Sequence, residues 1–329
     1  MRRRLAVSLA LTALPVTAMA DKTSPSTKLD DKTALLAPVT HDNLTIFPVI
    51  TTSEKIPTTD YLVLDEGMKA KQVQIVETGD GGTVNELTIR NRSGRPLFLM
   101  AGEVVIGGKQ DRIIGKNTIV APRTTESIPV FCVEHGRWNG RKAEFKSAGA
   151  LAHTGLRKKA NFADQGEVWS EVATKNAKRK LENDTDTYRG VAQSKSVVKS
   201  IDGYQKAFAG KLGKLGQKER QIGFVVALGG KVVAIETFGS PKLFKKFERK
   251  LLRSYYVEAI DAERNPDGTP MAAPKPAAVV DFASKAQKAK RSTVLDKSSG
   301  KTVQFEEEDM KGTAVESETG ASVYQGAYE

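Results

Sequence analysis

Residues 221–238, QIGFVVALGGKVVAIETF, contain two apolar runs that meet at Gly229-Gly230. A glycine pair between two such runs is typical of a two-residue β-hairpin turn, in which both central positions take positive φ. Ser240-Pro241 follows directly, and a serine before a first-turn proline is typical of a helix start. Apolar side chains then keep helical spacing at Phe244, Phe247, Leu251, Tyr255 and Ala259. We therefore expect a buried hairpin that leads into a long helix.

Upstream of the hairpin, residues 43–134 form a series of short runs that are rich in Val and Ile and are separated by Gly and Pro. Short strands at such close spacing are typical of antiparallel sheets, as in a sandwich. Only residues 65–71 have the composition of a helical turn. The predicted fold class is α+β, with a β-rich N-terminal half, inserted helices, the hairpin, the long helix and C-terminal strands.

Two of the inserted helices follow from apolar spacing. In residues 164–182, one helical stripe contains Val168, Trp169, Val172 and Ala173. A second continuous helix is predicted for residues 187–212, where the spacing is traced by Tyr188, Val191, Lys195, Val198 and Gln205.

The C-terminal part has weaker patterns. Residues 265–276 are rich in Pro and Ala and are predicted to be a connection. Residues 292–328 predict three short strands, with turns at residues 298–300 and 318–320.

The N-terminal residues 1–20, MRRRLAVSLALTALPVTAMA, combine three arginines, a short apolar run and an Ala-x-Ala end. This pattern predicts a cleavable signal peptide, cut after Ala20, and hence a periplasmic or secreted protein. The sequence leaves open whether the general or the twin-arginine route is used. Residues 21–42 are polar and predict a disordered leader, and residues 43–329 predict a single domain.

Charge and composition limit the expected partners. The formal net charge of +12 falls to +9 when the three arginines of the signal are removed, so we expect attraction to anions. Aromatic residues interleave poorly with the basic ones, which argues against a specific nucleic-acid reader. No later segment is apolar enough to cross a membrane. An anionic small molecule or an envelope polymer or protein is the expected partner, and the oligomeric state is left open.

Known catalytic motifs are not matched. The stretch GEVVIGGKQ, residues 102–110, has Glu103 and Gln110 where a phosphate loop needs Gly and Ser or Thr. The histidines His41, His135 and His153 are scattered, so no metal site and no cofactor are predicted. Cys132 is the only cysteine, which excludes an intramolecular disulfide. It lies in an apolar run and is expected to pack as a small hydrophobe, the alternative being a thiol nucleophile.

One polar constellation stands out. In SIPVFCVE, residues 127–134, strand alternation places Glu134 on the same face as Ile128, Val130 and Cys132. An inward carboxylate requires a cation. The proposed cluster is Glu103, Lys109, Gln110, Arg112, Glu134 and Arg137. Such a cluster fits either a pocket for phosphate or carboxylate or a structural salt-bridge network, and both alternatives stay open.

The sequence also resembles a known family through several motifs. They are NLTIFPVI (residues 43–50), DYLVLDEG (60–67), AGEVVIGGKQDR (101–112), SIPVFCVEHGRW (127–138), DQGEVWSEV (164–172) and the segment from GFVVALGG to YYVEAID (223–261). This set is similar to the ARG and Rhodanese-Phosphatase-superfamily-associated protein domain, over roughly residue 43 to the C-terminus. The resemblance implies a domain of uncharacterised function, named for association with ADP-ribose and phosphate-processing proteins.

The resemblance also implies which positions carry the family's polar motifs. They fall on Gly102, Glu103, Gly108, Lys109, Gln110, Arg112, Cys132, Glu134, Gly136, Arg137, Trp138, Asp164, Gln165 and Trp169.

Two functions follow as expectations. The first is an exported, non-catalytic binding module whose anionic ligand is held by Lys109, Gln110, Arg112, Arg137 and Trp138. The alternative is a hydrolase-like enzyme for a phosphate-bearing or glycosidic substrate. In that alternative Glu103 or Glu134 is the general base, and arginines and lysines stabilise developing negative charge.

Overall fold

Two large antiparallel sheets share the long helix that follows the hairpin. The structure is a computed structural model, and it describes residues 27–79, 83–136, 144–180 and 187–329. The predicted signal peptide, residues 1–20, lies outside the described residues.

The strands are β1 (Thr27–Lys28), β2 (Thr33–Leu35), β3 (Val39–His41), β4 (Leu44–Thr51), β5 (Leu62–Val63), β6 (Val73–Glu77), β7 (Glu86–Asn91), β8 (Leu97–Leu99), β9 (Glu103–Ile106), β10 (Arg112–Ile114), β11 (Thr118–Val120), β12 (Thr124–Cys132), β13 (Lys146–Leu151), β14 (Gln221–Leu228), β15 (Lys231–Phe238), β16 (Lys290–Lys297), β17 (Gly300–Glu307), β18 (Met310–Ser317) and β19 (Ser322–Tyr328). The α-helices are α1 (Leu64–Lys69), α2 (Thr154–Phe162), α3 (Gln165–Lys178), α4 (Tyr188–Gln193), α5 (Lys195–Leu212), α6 (Pro241–Asp261) and α7 (Pro276–Lys288), with a 3-10 turn at Lys218–Arg220.

The larger sheet has ten strands in the order β1-β2-β4-β14-β15-β19-β18-β17-β16, with β3 paired to β4. The predicted hairpin lies at its centre, as β14 and β15, and the turn residues Gly229 and Gly230 both have positive φ. A second sheet has the order β13-β9-β10-β12-β7-β6, and a small third sheet has the order β11-β8-β5. The α+β class with a β-rich N-terminal half is therefore confirmed.

Helix α6 connects the two large sheets. Ser240 starts it as predicted, because its Oγ accepts a hydrogen bond from the Leu243 N–H at 3.3 Å. The helix packs on β14 of the ten-stranded sheet and on β13 of the six-stranded sheet. Its fully buried residues Phe247, Leu251 and Tyr255 belong to the largest hydrophobic cluster. The opposite face of the ten-stranded sheet is covered by α7, which explains why β14 is apolar on both faces.

The predicted continuous helix over residues 187–212 is wrong, because the structure divides it at Ser194. The serine ends α4 and starts α5, where its Oγ accepts a hydrogen bond from the Val197 N–H at 3.4 Å. The buried stripe of α5 consequently follows a different phase, with Val197, Ile201, Tyr204 and Phe208. In α3 the predicted stripe holds for Val168 and Val172, whereas Ala173 is exposed.

Two further expectations are corrected. Residues 290–328 form four strands, β16 to β19, because an additional turn at residues 308–309 interrupts the region that was expected to hold three. The described part of the expected disordered leader, from Thr27 onward, forms β1, β2 and β3, and Leu35, Leu36 and Val39 are buried. Within the described ranges, no helix is long and apolar enough to span a membrane.

Candidate functional site

The candidate site is a cleft between α6 and the six-stranded sheet, with a cavity of about 450 Å³. We call it the basic cleft. Five basic side chains and two acidic ones line it, together with an apolar floor. The basic residues are Arg189, Lys246, Arg249, Lys250 and Arg253; the acidic ones are Asp65 and Asp111; the floor includes Val104, Ile106, Val133, Leu151 and Val257.

The periodicity of α6 explains why four of these cations converge. Positions 246, 249, 250 and 253 are separated by three or four residues, so they lie on one face of a helix. The apolar face of the same helix is held in the core by Phe247 and Leu251. Burial of that face therefore fixes the direction of the basic face toward the cleft.

Lys250 is anchored by two carboxylates. Its Nζ donates to Asp65 Oδ1 at 2.7 Å and to Glu103 Oε1 at 2.8 Å, while Glu103 Oε2 accepts the Met100 N–H at 3.0 Å. Burial disfavours the charged lysine, but the Glu103 and Asp65 carboxylates outweigh burial and raise the pKa of Lys250. Burial raises the pKa of Glu103, against the opposing effect of Lys250. The cation at the base of the cleft is thus held in one position.

A second pair lies across the cleft. Arg189, from α4, donates from Nη2 to Asp111 Oδ2 at 2.7 Å, and the other oxygen of Asp111 accepts the Gly107 N–H at 3.0 Å. The carboxylate of Asp111 is almost fully buried, whereas the Arg189 side chain is 43% exposed. Asp111 therefore orients a guanidinium group that solvent and a ligand can still reach.

The remaining cations differ in how far the protein already neutralises them. Lys246 Nζ contacts Glu66 Oε2 at 2.8 Å and the Tyr61 carbonyl at 2.7 Å. Arg249 is exposed, and within the described ranges it forms neither a hydrogen bond nor an ion pair. Its guanidinium group is accordingly the cleft cation that is best able to accept an external anion.

Tyr188 forms one wall of the cleft and is connected to a buried relay. Its hydroxyl accepts the His153 N–H at 2.9 Å and lies 3.1 Å from His153 Nδ1, and His153 Nε2 lies 2.8 Å from Glu171 Oε1. The Tyr188 hydroxyl and the Glu171 carboxylate thus contact the two ring nitrogens of His153 and fix the orientation of the ring. Burial raises the pKa of Tyr188, so this hydroxyl stays protonated and positions the wall.

The polar constellation predicted from the sequence converges only in part. Gln110, Arg112 and Glu134 lie near one another: Arg112 Nη1 donates to Gln110 Oε1 at 3.3 Å, and Glu134 Oε2 accepts the Asp111 N–H at 3.1 Å. The Lys109 N–H donates to Glu77 Oε1 at 2.7 Å. Glu103 is instead bonded to α6. Arg137 and Trp138 lie outside the described residues.

Strand alternation explains why the constellation does not line the basic cleft. Arg112 pairs in register with Val105 and Cys132 and is fully buried on their side of the six-stranded sheet. The cleft is lined by Val104 and Ile106, which alternate with Val105 and therefore lie on the opposite face. Of the charged residues in the stretch AGEVVIGGKQDR, residues 101–112, Asp111 is the one in the cavity lining, and the predicted cluster did not include it.

Cys132 fits the structural alternative. The thiol is buried, and burial raises its pKa, which opposes formation of a thiolate. Its backbone N–H and carbonyl are held by the Gln165 amide at 2.8 Å and 2.9 Å, an interaction that ties β12 to α3. In the described ranges no group of three or more His, Cys, Asp or Glu side chains is arranged to hold a metal ion.

The cations of α6 were not among the residues predicted from the sequence, because only the apolar spacing of this helix entered the prediction. The available signal was the run KKFERKLLR, residues 245–253, whose basic residues recur at the same three- and four-residue intervals as its apolar ones. Asp65 and Arg189 carry no comparable signal, since only the folded chain brings them to α6.

Comparison with known proteins gives a family. No curated protein and no solved structure is significantly similar to the chain. Residues 32–327 match the ARG and Rhodanese-Phosphatase-superfamily-associated Protein domain, and this match spans nearly the whole sequence. The chain therefore belongs to the ARG and Rhodanese-Phosphatase-superfamily-associated Protein domain family.

Proposed function

We propose that the protein is an exported, non-catalytic binding module that holds an anionic ligand in the basic cleft. The observation that carries this proposal is the convergence of five cations on one cavity that only two carboxylates line. Both carboxylates are already paired, Asp65 with Lys250 and Asp111 with Arg189. An entering phosphate or carboxylate would meet forked guanidinium donors, and the apolar floor would accommodate the body of the ligand.

The state of the carboxylates supports binding rather than catalysis. A general base needs a free oxygen within reach of the substrate. Glu103 has both oxygens occupied, by Lys250 and by the Met100 N–H, and it is only 2% exposed. Glu134 is buried and accepts the Asp111 N–H. The predicted base candidates therefore serve to fix the cleft and the adjoining strand.

Isothermal titration calorimetry of the full chain with pyrophosphate tests the proposal. We expect saturable binding that the Arg249→Ala substitution weakens about tenfold or more, because a charge-assisted hydrogen bond contributes about 1.5–3 kcal/mol. Lys245→Ala is the matched control. Lys245 is exposed on the same helix but does not line the cleft, and its substitution removes the same charge as Arg249→Ala.

Equal weakening in the two variants would show a diffuse field effect and contradict a defined site. Absence of any heat of binding from pyrophosphate, citrate and sugar phosphates would contradict the anion site altogether. Release of orthophosphate from pyrophosphate would contradict the non-catalytic assignment and support the hydrolase-like alternative.

The export part of the proposal rests on the N-terminal pattern and needs its own test. When the full-length gene is expressed in a Gram-negative host, we expect the periplasmic fraction to contain a protein whose N-terminal residue is Asp21. Recovery of the uncleaved chain in the cytoplasmic fraction alone would contradict export without affecting the cleft.

A further inference from the structure

A second basic depression adjoins the basic cleft. It has a volume of about 790 Å³ and is the larger of the two. We call it the outer groove. Its basic residues are Lys69, Lys71, Arg92 and Lys146, and its acidic residues are Asp65 and Glu144.

The cations of the outer groove are largely available. Lys69, Lys71 and Lys146 are exposed, and none of the three has an ion-pair partner within the described ranges. Arg92 Nη2 donates to the neutral amide oxygen of Gln74 at 2.8 Å, so its charge is not neutralised there. Glu144 accepts a hydrogen bond from Gln74 Nε2 at 2.6 Å and is turned toward an amide rather than toward a cation.

The two depressions are contiguous. Asp65, Ala148 and Gly149 line both of them. At this boundary β13 loses its register with β9 between Ser147 and Leu151, and Gly149 has a φ of +62°. A Cβ at Gly149 would meet nothing within 4 Å, so the boundary is open at this position. An extended ligand can therefore pass from one depression to the other at Gly149, where the chain carries no side chain.

Because basic residues line both of these contiguous depressions, we propose that the physiological ligand is a linear polyanion that spans the outer groove and the basic cleft. This inference rests on the proposed function and specifies its ligand class: a chain with anionic groups on successive units, phosphate or carboxylate. The basic cleft binds one segment through Arg249 and its neighbours. The lysines of the outer groove then bind the next segment, at the high effective concentration that linkage provides.

Chain length distinguishes this inference from the simpler proposal. We expect polyphosphate of about fifteen units to bind the full chain at least about tenfold more tightly than pyrophosphate, since a linked second contact adds affinity. The double substitution Arg92→Ala/Lys146→Ala should remove this advantage and leave pyrophosphate affinity unchanged. Arg249→Ala should weaken both ligands.

The control is Lys199→Ala/Lys206→Ala on α5, which removes two charges from exposed positions that line neither depression. Loss of the chain-length advantage in this control would show long-range attraction and overturn the inference. Equal affinity for polyphosphate and pyrophosphate, both dependent on Arg249, would also overturn it while the anion site in the basic cleft stands. Binding of neither probe by the wild-type chain would remove the proposed function itself.

A parallel titration with oligogalacturonate identifies the chemistry of the polymer. Tighter binding of this polycarboxylate than of polyphosphate, with the same dependence on Arg92 and Lys146, supports a carboxylate polymer. The reverse order supports a phosphate polymer. If the Arg92→Ala/Lys146→Ala substitution leaves the affinity for both polymers unchanged, the ligand does not span the outer groove and the inference is contradicted.

Discussion

Arg157 and Glu236 form a two-pronged ion pair in the interior, and neither side chain reaches solvent. Arg157 comes from α2 and Glu236 from β15, so the pair joins the inserted helices to the central hairpin. Hydroxyl groups complete the carboxylate's hydrogen bonds: Tyr255 donates to Oε2 at 2.7 Å, and Tyr324 donates to Oε1 at 2.6 Å. Burial opposes ionisation, but Arg157 outweighs it and lowers the pKa of Glu236.

Replacement of Glu236 by Gln should destabilise the fold strongly. The change leaves the Arg157 guanidinium buried without a counter-charge, and loss of one partner of a buried pair costs about 3–5 kcal/mol. We expect a decrease of this size in the free energy of unfolding, measured by urea denaturation. Tyr324→Phe removes a single hydroxyl and should cost only about 1 kcal/mol. Similar decreases in the free energy of unfolding of Glu236→Gln and Tyr324→Phe would contradict a dominant contribution of the Arg157–Glu236 ion pair to stability.

The stability of the fold should depend on acid pH through Glu258. Burial alone would raise the pKa of this carboxyl, but His153, Lys175 and the Gly155 N–H outweigh burial and lower the pKa to about 2, from an ordinary value of 4.5. Because the folded-state pKa is lowered, the carboxylate stabilises the fold above about pH 4.5. That contribution, on the order of 3 kcal/mol, is lost as the pH falls from about 4.5 to about 2.

The measurement compares wild type with Glu258→Gln. The difference between their free energies of unfolding should be large at pH 6 and should shrink as the pH falls toward 2. A difference that is independent of pH would show that Glu258 contributes through packing and not through its charge.

Gly102 is predicted to be essential for space as well as for backbone conformation. Its φ is +86°, and a Cβ at this position would lie 2.4 Å from Arg157 Cγ. Gly102→Ala should lower the free energy of unfolding by about 3 kcal/mol, combining an unfavourable φ with overpacking. Gly216→Ala is the matched control, because Gly216 also has positive φ but has nothing within 4 Å of its Cβ position. It should cost about 1 kcal/mol.

Cys132 is predicted to be chemically inert in the folded protein. The thiol is inaccessible, and its raised pKa reduces the thiolate fraction further. At pH 8 an aromatic disulfide reagent should label the native protein at least about a hundredfold more slowly than the urea-unfolded protein. Rapid labelling of the native state would contradict the buried position of Cys132 and support the alternative in which its thiol is a nucleophile.

Local patterns predicted the elements that local interactions determine. The Gly229-Gly230 turn and the Ser240 helix start each depend on the conformation of one or two residues, and both are where the sequence placed them. The break at Ser194 was missed although serine is a common N-cap, because the apolar spacing on either side could be fitted in more than one phase.

The site was less predictable than the fold, for a physical reason. Glu134 and Cys132 are both buried, but strand alternation could not show that the cleft lies on the side of the sheet opposite to Arg112 and Cys132. The contact of Lys250 with Glu103 spans 147 residues of sequence. No periodicity within one element can indicate which distant element supplies its counter-charge.

The position of β19 within the ten-stranded sheet also determines when the chain can complete folding. This strand, residues 322–328, lies between β15 and β18 rather than at an edge. It supplies Tyr324 and Tyr328 to the buried carboxylate of Glu236. A growing chain that has not yet produced these residues has an open β15 and an incompletely bonded internal charge. The ten-stranded sheet therefore cannot be completed before residues 322–328 have been synthesised, and a chain that stops before them exposes a sheet edge that favours aggregation.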